Sequence, residues 1–398
     1  MLSLSELLAE HGSPDILIDS FSKSSKKYAA WGLQEIFEIN TQGCFLNGKS
    51  IPGDPLQEFQ NILNKWKTYN TDSDIACIGF ISYEFKKFIY KHINFNDSKV
   101  SNFPYVWFCR PQKIYEYSIN NHEMNTKGKL HLLKDIMDFD DYNQFISDIK
   151  MFLKAGDAYQ INFTDYKTFK SNFRNSFDLY QSLSQKAKPI EGFFLHTNNF
   201  DILSFSPESF IKIENGIIST KPIKGTRPRS QNRSKDNILK NELQISIKDK
   251  AEHLMIIDLL RNDLGKICEP KTIEVNNLYN IESFETIHHM VTKIQGKLSK
   301  NISEIDIIKA LFPGGSITGA PKESAMKIID KLENYNRKIY TGSAGYIKSN
   351  GDMSFNICIR TLLKIDDKYE YGVGGGIVWD SIAKDEWKEA HQKSKILD

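Results

Sequence analysis

Glu208 and Lys224 flank a short run whose pattern can bring them together. Residues 210–218 alternate apolar and polar side chains around Asn215-Gly216, a dipeptide that supplies the positive φ values of a tight hairpin turn. Closing such a hairpin sets an acid beside an amine. Lys224 lies between Ile223 and Gly225, Pro222 stiffens the approach, and no helical apolar period surrounds it. An amine and an acid so placed can serve as nucleophile and proton donor. A solvated lysine in a polar loop is the plain alternative.

Other residues extend the chemistry. In DAYQINFTDYKTF, alternation reads as a strand and puts Gln160 just inside its start, either facing a cavity or as a half-buried structural amide. Apolar residues cover most of the circumference of KDKAEHLMIIDLLRNDLGKI, which predicts a helix buried on several sides whose ionic residues need partners. An Arg-Asp network accounts for Asp258, Arg261 and Asp263 and leaves Glu252 as the candidate metal ligand. His288 and His289 alternate on a strand, each a packed polar residue or a catalyst. The turn in LFPGGSITGAPK carries Ser316 and Thr318 into a helix from Pro321. Its backbone amides suit a carboxylate, and its order is not that of a GxxxxGK[ST] phosphate loop. RKIYTGSAGYI and NICIRTLL read as adjacent strands bearing Tyr340 and Arg360, a hydroxyl and a planar fork suited to a carboxylate. Gly374, Gly375 and Gly376 let backbone approach a ligand closely. Glu386, Glu389 and Lys393 share one face of a final helix, where solvated charge is the bland reading.

These residues hang on alternating strands and helices. Strand-like pieces at 16–18, 75–83 and 105–108 and an amphipathic helix at 56–66 occupy the first 140 residues, without catalytic spacing. Helical patterns follow at 139–154, ending at Gly156, at 177–187 and at 235–249. With 398 residues the chain can bury a large core, as separate domains or as one interlocked unit. Its 52 basic side chains nearly balance 50 acidic ones, which predicts no nucleic-acid partner and no anionic membrane surface. Five scattered cysteines without CxxC spacing predict reduced thiols in a cytoplasm. The N-terminus lacks a leader pattern and no run approaches ~18 apolar residues, so a soluble cytoplasmic protein is expected.

Six motifs, in unbroken order over residues 156–395, resemble the chorismate-utilising enzymes, the anthranilate synthase component I and isochorismate synthase family. They are AGDAYQINFT, SPESF with TKPIKGTRPR, EHLMIIDLLRNDLG, HHMVT, FPGGSITGAPK, and the closing IRT, GGGIV and E-x-x-E-x-x-x-K group. The resemblance implies an α+β fold of two large, mainly antiparallel sheets packed face to face with helices outside. It divides the chain into residues 1–140, weakly matched with GFISYE as the best piece, and a chorismate-binding catalytic part at 141–398. DILIDSFSKSS is similar to the N-terminal effector-pocket stretch of anthranilate synthase large subunits, but a plain edge strand explains it equally and no regulatory role is assigned.

Within that family, water-adding members carry lysine where this chain has Gln160, and ammonia users carry glutamine. Anthranilate synthases carry alanine where it has Lys224. The resemblance therefore implies a transaminase-class amination of chorismate at C4 to 4-amino-4-deoxychorismate, toward p-aminobenzoate and folate. Lys224 would add at C2, Glu208 would protonate the leaving hydroxyl, and ammonia would then expel the lysine. His289 would support, Glu252 and Glu389 would ligate Mg²⁺ with Glu386 acting through water, and Tyr340, Arg360 and the 374–376 backbone would hold the enolpyruvyl carboxylate beside Thr318 and Lys393. Ser316 shares the substrate-binding turn. Ammonia would come from a separate glutamine amidotransferase subunit, and a downstream aminodeoxychorismate lyase would aromatise the product. The rival readings are an anthranilate synthase large subunit and a non-catalytic chorismate-binding subunit. Two departures stand out: KAKPIEGFFLHTNN replaces the usual NPSPY-like segment, and Ala390 replaces a common threonine.

Overall fold

A computed structural model describes residues 2–22, 25–69, 73–96, 102–118, 127–284 and 287–398. Among these residues the strands join one hydrogen-bonded ladder in which every pairing is antiparallel except that of Leu2–Ser3 with Val106–Ser118. One half runs Gln160–Ser171, Lys368–Ile377, Thr361–Ile365, Phe200–Ser206, Glu191–His196, Ile16–Asp19. The other runs Val106–Ser118, Ile75–Ile81, Ser343–Lys348, Met353–Asn356, Ser209–Glu214, Ile217–Thr220, Ile287–Lys297. Tyr28–Asn40 links them, pairing with Ile16–Asp19 at its start and with Val106–Ser118 along its length. Its register slips between Leu33 and Glu35, just past Gly32 at φ 75°, a bulge that bends the strand and lets the ladder fold back on itself.

The two halves then meet face to face. Ile16, Ile78, Phe80, Trp107, Phe193 and Ile202 form the apolar layer between them. On the outside, Pro55–Lys67 buries Leu56, Phe59, Leu63 and Trp66 at its 3.6-residue period. Ser176–Ala187 and Ala383–Lys393 cover the other half, and Phe139–Ala155 covers the Gln160 strand. The expected architecture of paired antiparallel sheets and outer helices is what forms. Strands from the first 140 residues pair directly with strands of the last 210, so the N-terminal part is woven into the same sheets.

Local readings fared unevenly. The 139–154 helix forms as Phe139–Ala155 and ends on Gly156 at φ 80°. The 235–249 helix does not run through: Arg233–Ile245 stops, and Ser246 caps a new helix, Ile247–Gly265, by accepting from the Asp249 amide at 3.2 Å. That second helix buries one side only, since Leu254 is 43% exposed and the Asp258–Arg261 pair lies in solvent. Of the expected Arg-Asp network only the Asp258–Arg261 pair forms (3.3 Å), while buried Asp263 bonds to Lys322 at 2.7 Å and Lys266 at 2.8 Å. Neither Tyr340 nor Arg360 lies in a strand: Tyr340 closes a turn and Arg360, at φ 51°, sits in the loop before Thr361–Ile365. Of the DILIDSFSKSS segment, Ile16–Asp19 is a strand, and residues 23 and 24 lie outside the described residues. No described helix is long and apolar enough to cross a membrane.

Candidate active site

The predicted hairpin forms, Ser209–Glu214 against Ile217–Thr220, with Asn215 and Gly216 both at positive φ. Past Pro222 the chain enters Ile223–Pro228, which pairs with the histidine strand as Lys224↔Met290 and Thr226↔His289. Gly225 is the bulge between them, at φ 71°. A Cβ there would lie 2.7 Å from Leu243 and 3.0 Å from the Asp249 carboxyl carbon, so only glycine fits. The bulge fixes the direction in which Lys224 leaves the strand.

Glu208 is anchored from both sides of its backbone. Its N–H donates to Ser206 Oγ (3.1 Å), its carbonyl accepts from the Ile357 amide (3.0 Å), and Ser206 Oγ donates to the Ile357 carbonyl (2.6 Å). Burial pushes its carboxyl up to about 7, against the hydrogen bond from Ser316 and the charge of Lys224. Lys224 moves the other way. Burial pushes its amine down, with Lys393 adding to the push, while Glu252, Glu208 and Glu389 hold it up. Acid and amine thus converge toward neutrality, as paired acid and nucleophile chemistry requires.

Glu252 and Glu389 act on this amine, and Glu386 adjoins both of them. Glu252 comes from the second turn of Ile247–Gly265, and Glu386 and Glu389 from Ala383–Lys393. Gly375 passes beneath them, and a Cβ there would stand 3.5 Å from Glu386 Oε2 and Lys393 Nζ and 3.9 Å from Glu389 Oε1. Lys393 donates to Glu389 (2.8 Å) and to the Gly374 carbonyl (2.6 Å), and Ser381 donates to Glu386 (2.7 Å). Burial raises Glu252 and Glu386, the charge of Glu386 adds to the first and that of Glu389 to the second, while Lys393 lowers Glu389. Among the described residues no three ligating groups stand in metal-holding geometry. The donor set nevertheless fits Mg²⁺, since mutual repulsion among partly buried carboxylates is what a hard cation relieves.

Gln160 opens its strand as expected and is fully buried, with neither amide atom hydrogen-bonded among the described residues. A Cβ on Gly376 would fall 2.9 Å from its amide carbon. His289 is hydrogen-bonded through Nδ1 to Thr226 Oγ1 (2.9 Å), and its Nε2 is buried without a partner. Burial and then Arg360 push this ring down to about 4, so it is neutral near pH 7. His288 points the other way, to Ser283 and Asp236. Among the described residues the Arg360 guanidinium makes no hydrogen bond or ion pair, while its charge acts on His289 and Tyr371, and Tyr340 packs on Gly372. Ser316 lies within the turn Gly315–Ile317 and Thr318 directly follows it. Ser316 donates to Glu208 Oε1 (3.0 Å) and Thr318 to the Gly314 carbonyl (2.8 Å), so each hydroxyl proton is already used.

Three contributors escaped the sequence reading. Ser206 holds the acid's backbone, and Lys248 reaches Glu252, Glu386 and Glu389 electrostatically. Arg337 is buried and donates to the carbonyls of Asn162 (2.7 Å) and Ile317 (3.1 Å) and to Glu333 (2.6 Å), while Glu84 accepts its backbone N–H (2.8 Å). It ties together the segments that carry Gln160, Ser316 and Tyr340. The available signal was GFISYE, whose Glu84 is the residue that docks this loop. A small recess lined by Tyr166, Tyr335, Arg337, Tyr340 and Glu370 shares only Tyr340 with the predicted set.

The family model described as chorismate binding enzyme matches residues 13–397. Aminodeoxychorismate synthase of Arabidopsis thaliana is 41% identical over 258 residues, 63% of this chain and 28% of that protein. Aminodeoxychorismate synthase component 1 of Bacillus subtilis is 30% identical over 382 residues, covering 86% of this chain and 81% of that one. Across four curated relatives 38% to 41% identical, the match spans 28% to 58% of their own length. The crystal structure of anthranilate synthase component I from Streptococcus pneumoniae superposes with a TM-score of 0.81 at 23% identity, over 95% of this chain and 93% of that one.

Proposed function

The chain belongs to the chorismate-binding enzymes, and from that premise we propose that it aminates chorismate at C4 to give 4-amino-4-deoxychorismate. The observation that carries the reading is Lys224, an amine driven toward neutrality beside a carboxyl driven toward protonation. Neutral Lys224 forms a bond to C2 as the ring double bonds shift and the C4–O bond breaks. Glu208 gives its proton to the departing hydroxyl, which leaves as water. Ammonia then bonds to C4 as the C2–N bond breaks and Lys224 leaves as the amine, and the surplus proton returns to Glu208.

Gln160, with an amide free of protein partners, receives the ammonia, and the unpaired fork of Arg360 takes the enolpyruvyl carboxylate. Glu252 and Glu389, with Glu386 acting through water, would hold Mg²⁺, which when bound supplies positive charge to the ring carboxylate. Neutral His289 packs against the ring. A separate glutamine amidotransferase supplies the ammonia, and an aminodeoxychorismate lyase consumes the product. Five free, buried cysteines support a cytoplasmic setting.

The test is product identity. Chorismate, Mg²⁺ and ammonium at alkaline pH should give a non-fluorescent product that added lyase converts to p-aminobenzoate. Fluorescent anthranilate in its place refutes amination at C4. Lys224→Ala should abolish most turnover while still binding chorismate; an unchanged rate would refute Lys224 as the nucleophile, and wild-type protein that binds chorismate without turning it over would leave only a chorismate-binding scaffold.

A further inference from the structure

We propose that Ser316 is a positioning residue for the acid, fixing the rotamer of Glu208 so that Oε2 is the oxygen that carries the transferred proton. The inference deepens the amination reading and rests on it. A serine hydroxyl has one proton to give, and here it goes to Glu208 Oε1 at 3.0 Å. No other side chain among the described residues hydrogen-bonds this carboxyl, and the Ile223 amide acts on it less strongly.

Both partners are held. The Glu208 backbone is fixed by Ser206 and Ile357. The turn Gly315–Ile317 that carries the hydroxyl is closed by Thr318 on the Gly314 carbonyl and tied by Arg337 at the Ile317 carbonyl. Its far side rests on the helix that bears Glu252: a Cβ on Gly315 would stand 2.4 Å from Leu259. A turn fixed on three sides thus presents one hydroxyl to one carboxyl oxygen. With Oε1 already accepting, the acidic proton resides on Oε2, and Lys224 is the titratable neighbour that acts on it.

Ser316→Ala and Ser316→Thr test this in the full-length chain, with free ammonia held constant across pH. Alanine should lower kcat by about tenfold, the worth of one charge-assisted hydrogen bond, and leave KM for chorismate unchanged. It should also move the pH limb governed by Glu208 upward, because the lost bond favoured the anion. Threonine, which keeps the hydroxyl, should restore both. A raised KM with unmoved kcat and limb would return Ser316 to the substrate and overturn the proposal. A second readout needs no turnover: the Glu208 carboxyl is titrated by NMR in ¹³C-glutamate-labelled protein, its signal assigned by loss in Glu208→Gln. A midpoint that stays put in Ser316→Ala sinks the inference even if the amination reading fails, and a shifted midpoint sustains the contact even then.

Discussion

Replacing Glu208 by Gln should harm turnover and strengthen the fold, and the structure gives the size of both effects. The carboxyl is 6% exposed and sits at about 7, against an ordinary value of 4.5. The folded state therefore holds this proton more tightly than the unfolded chain. Stability from this group is full below the unfolded value and is lost as pH rises toward the folded one, because the unfolded chain ionises freely while the folded site must bury a charge. A gap of about 2.5 units corresponds to about 3 kcal/mol. Glutamine fills the same space, can still accept from Ser316, and never ionises. Glu208→Gln should thus match the wild type near pH 4 and exceed it by up to about 3 kcal/mol at about pH 8. Urea unfolding followed at both pH values measures this. Turnover should fall by about 10²- to 10⁴-fold, the usual worth of a general acid, and the limb near 7 should vanish from the pH profile. Equal stability of the two proteins at about pH 8 would refute the burial argument, and a surviving limb would refute the assignment of the acid.

Glu252→Gln removes one of three clustered carboxylates and should raise the Mg²⁺ concentration for half-maximal activity by about tenfold or more; an unchanged magnesium titration removes Glu252 from the ligand set. Arg337→Leu leaves Glu333 buried without its cation and should cost about 3–5 kcal/mol in urea unfolding, with a loss below about 1 kcal/mol excluding the keystone role.

What the sequence could express was local. The Asn215-Gly216 turn, the Gln160 strand start and the one-sided charges of the final helix each rest on spacing within a few residues, and each forms as read. Most of what was missed involves distant partners. Asp263 looked paired within its own helix, yet Lys322, 59 positions on, claims it. The bond from Ser316 to Glu208, 108 positions back, likewise left no local trace. Tyr340 and Arg360 looked like strand residues because their neighbours are apolar. Those neighbours are buried by tertiary packing, and the positive φ of Arg360 leaves no mark on composition. The break at Ser246 was legible in principle, since serine three residues before an aspartate is a capping pattern, but the charge run on either side hid it.

The fold-back at Gly32 has a consequence in time. Gly376 meets Gln160 across 216 intervening steps of chain, and Glu208 meets Ser316 across 108. Partners so remote find each other only after most loop entropy has been surrendered. Helices and hairpins should therefore precede the assembled site on refolding, an order that far-ultraviolet circular dichroism set against recovery of chorismate binding would check.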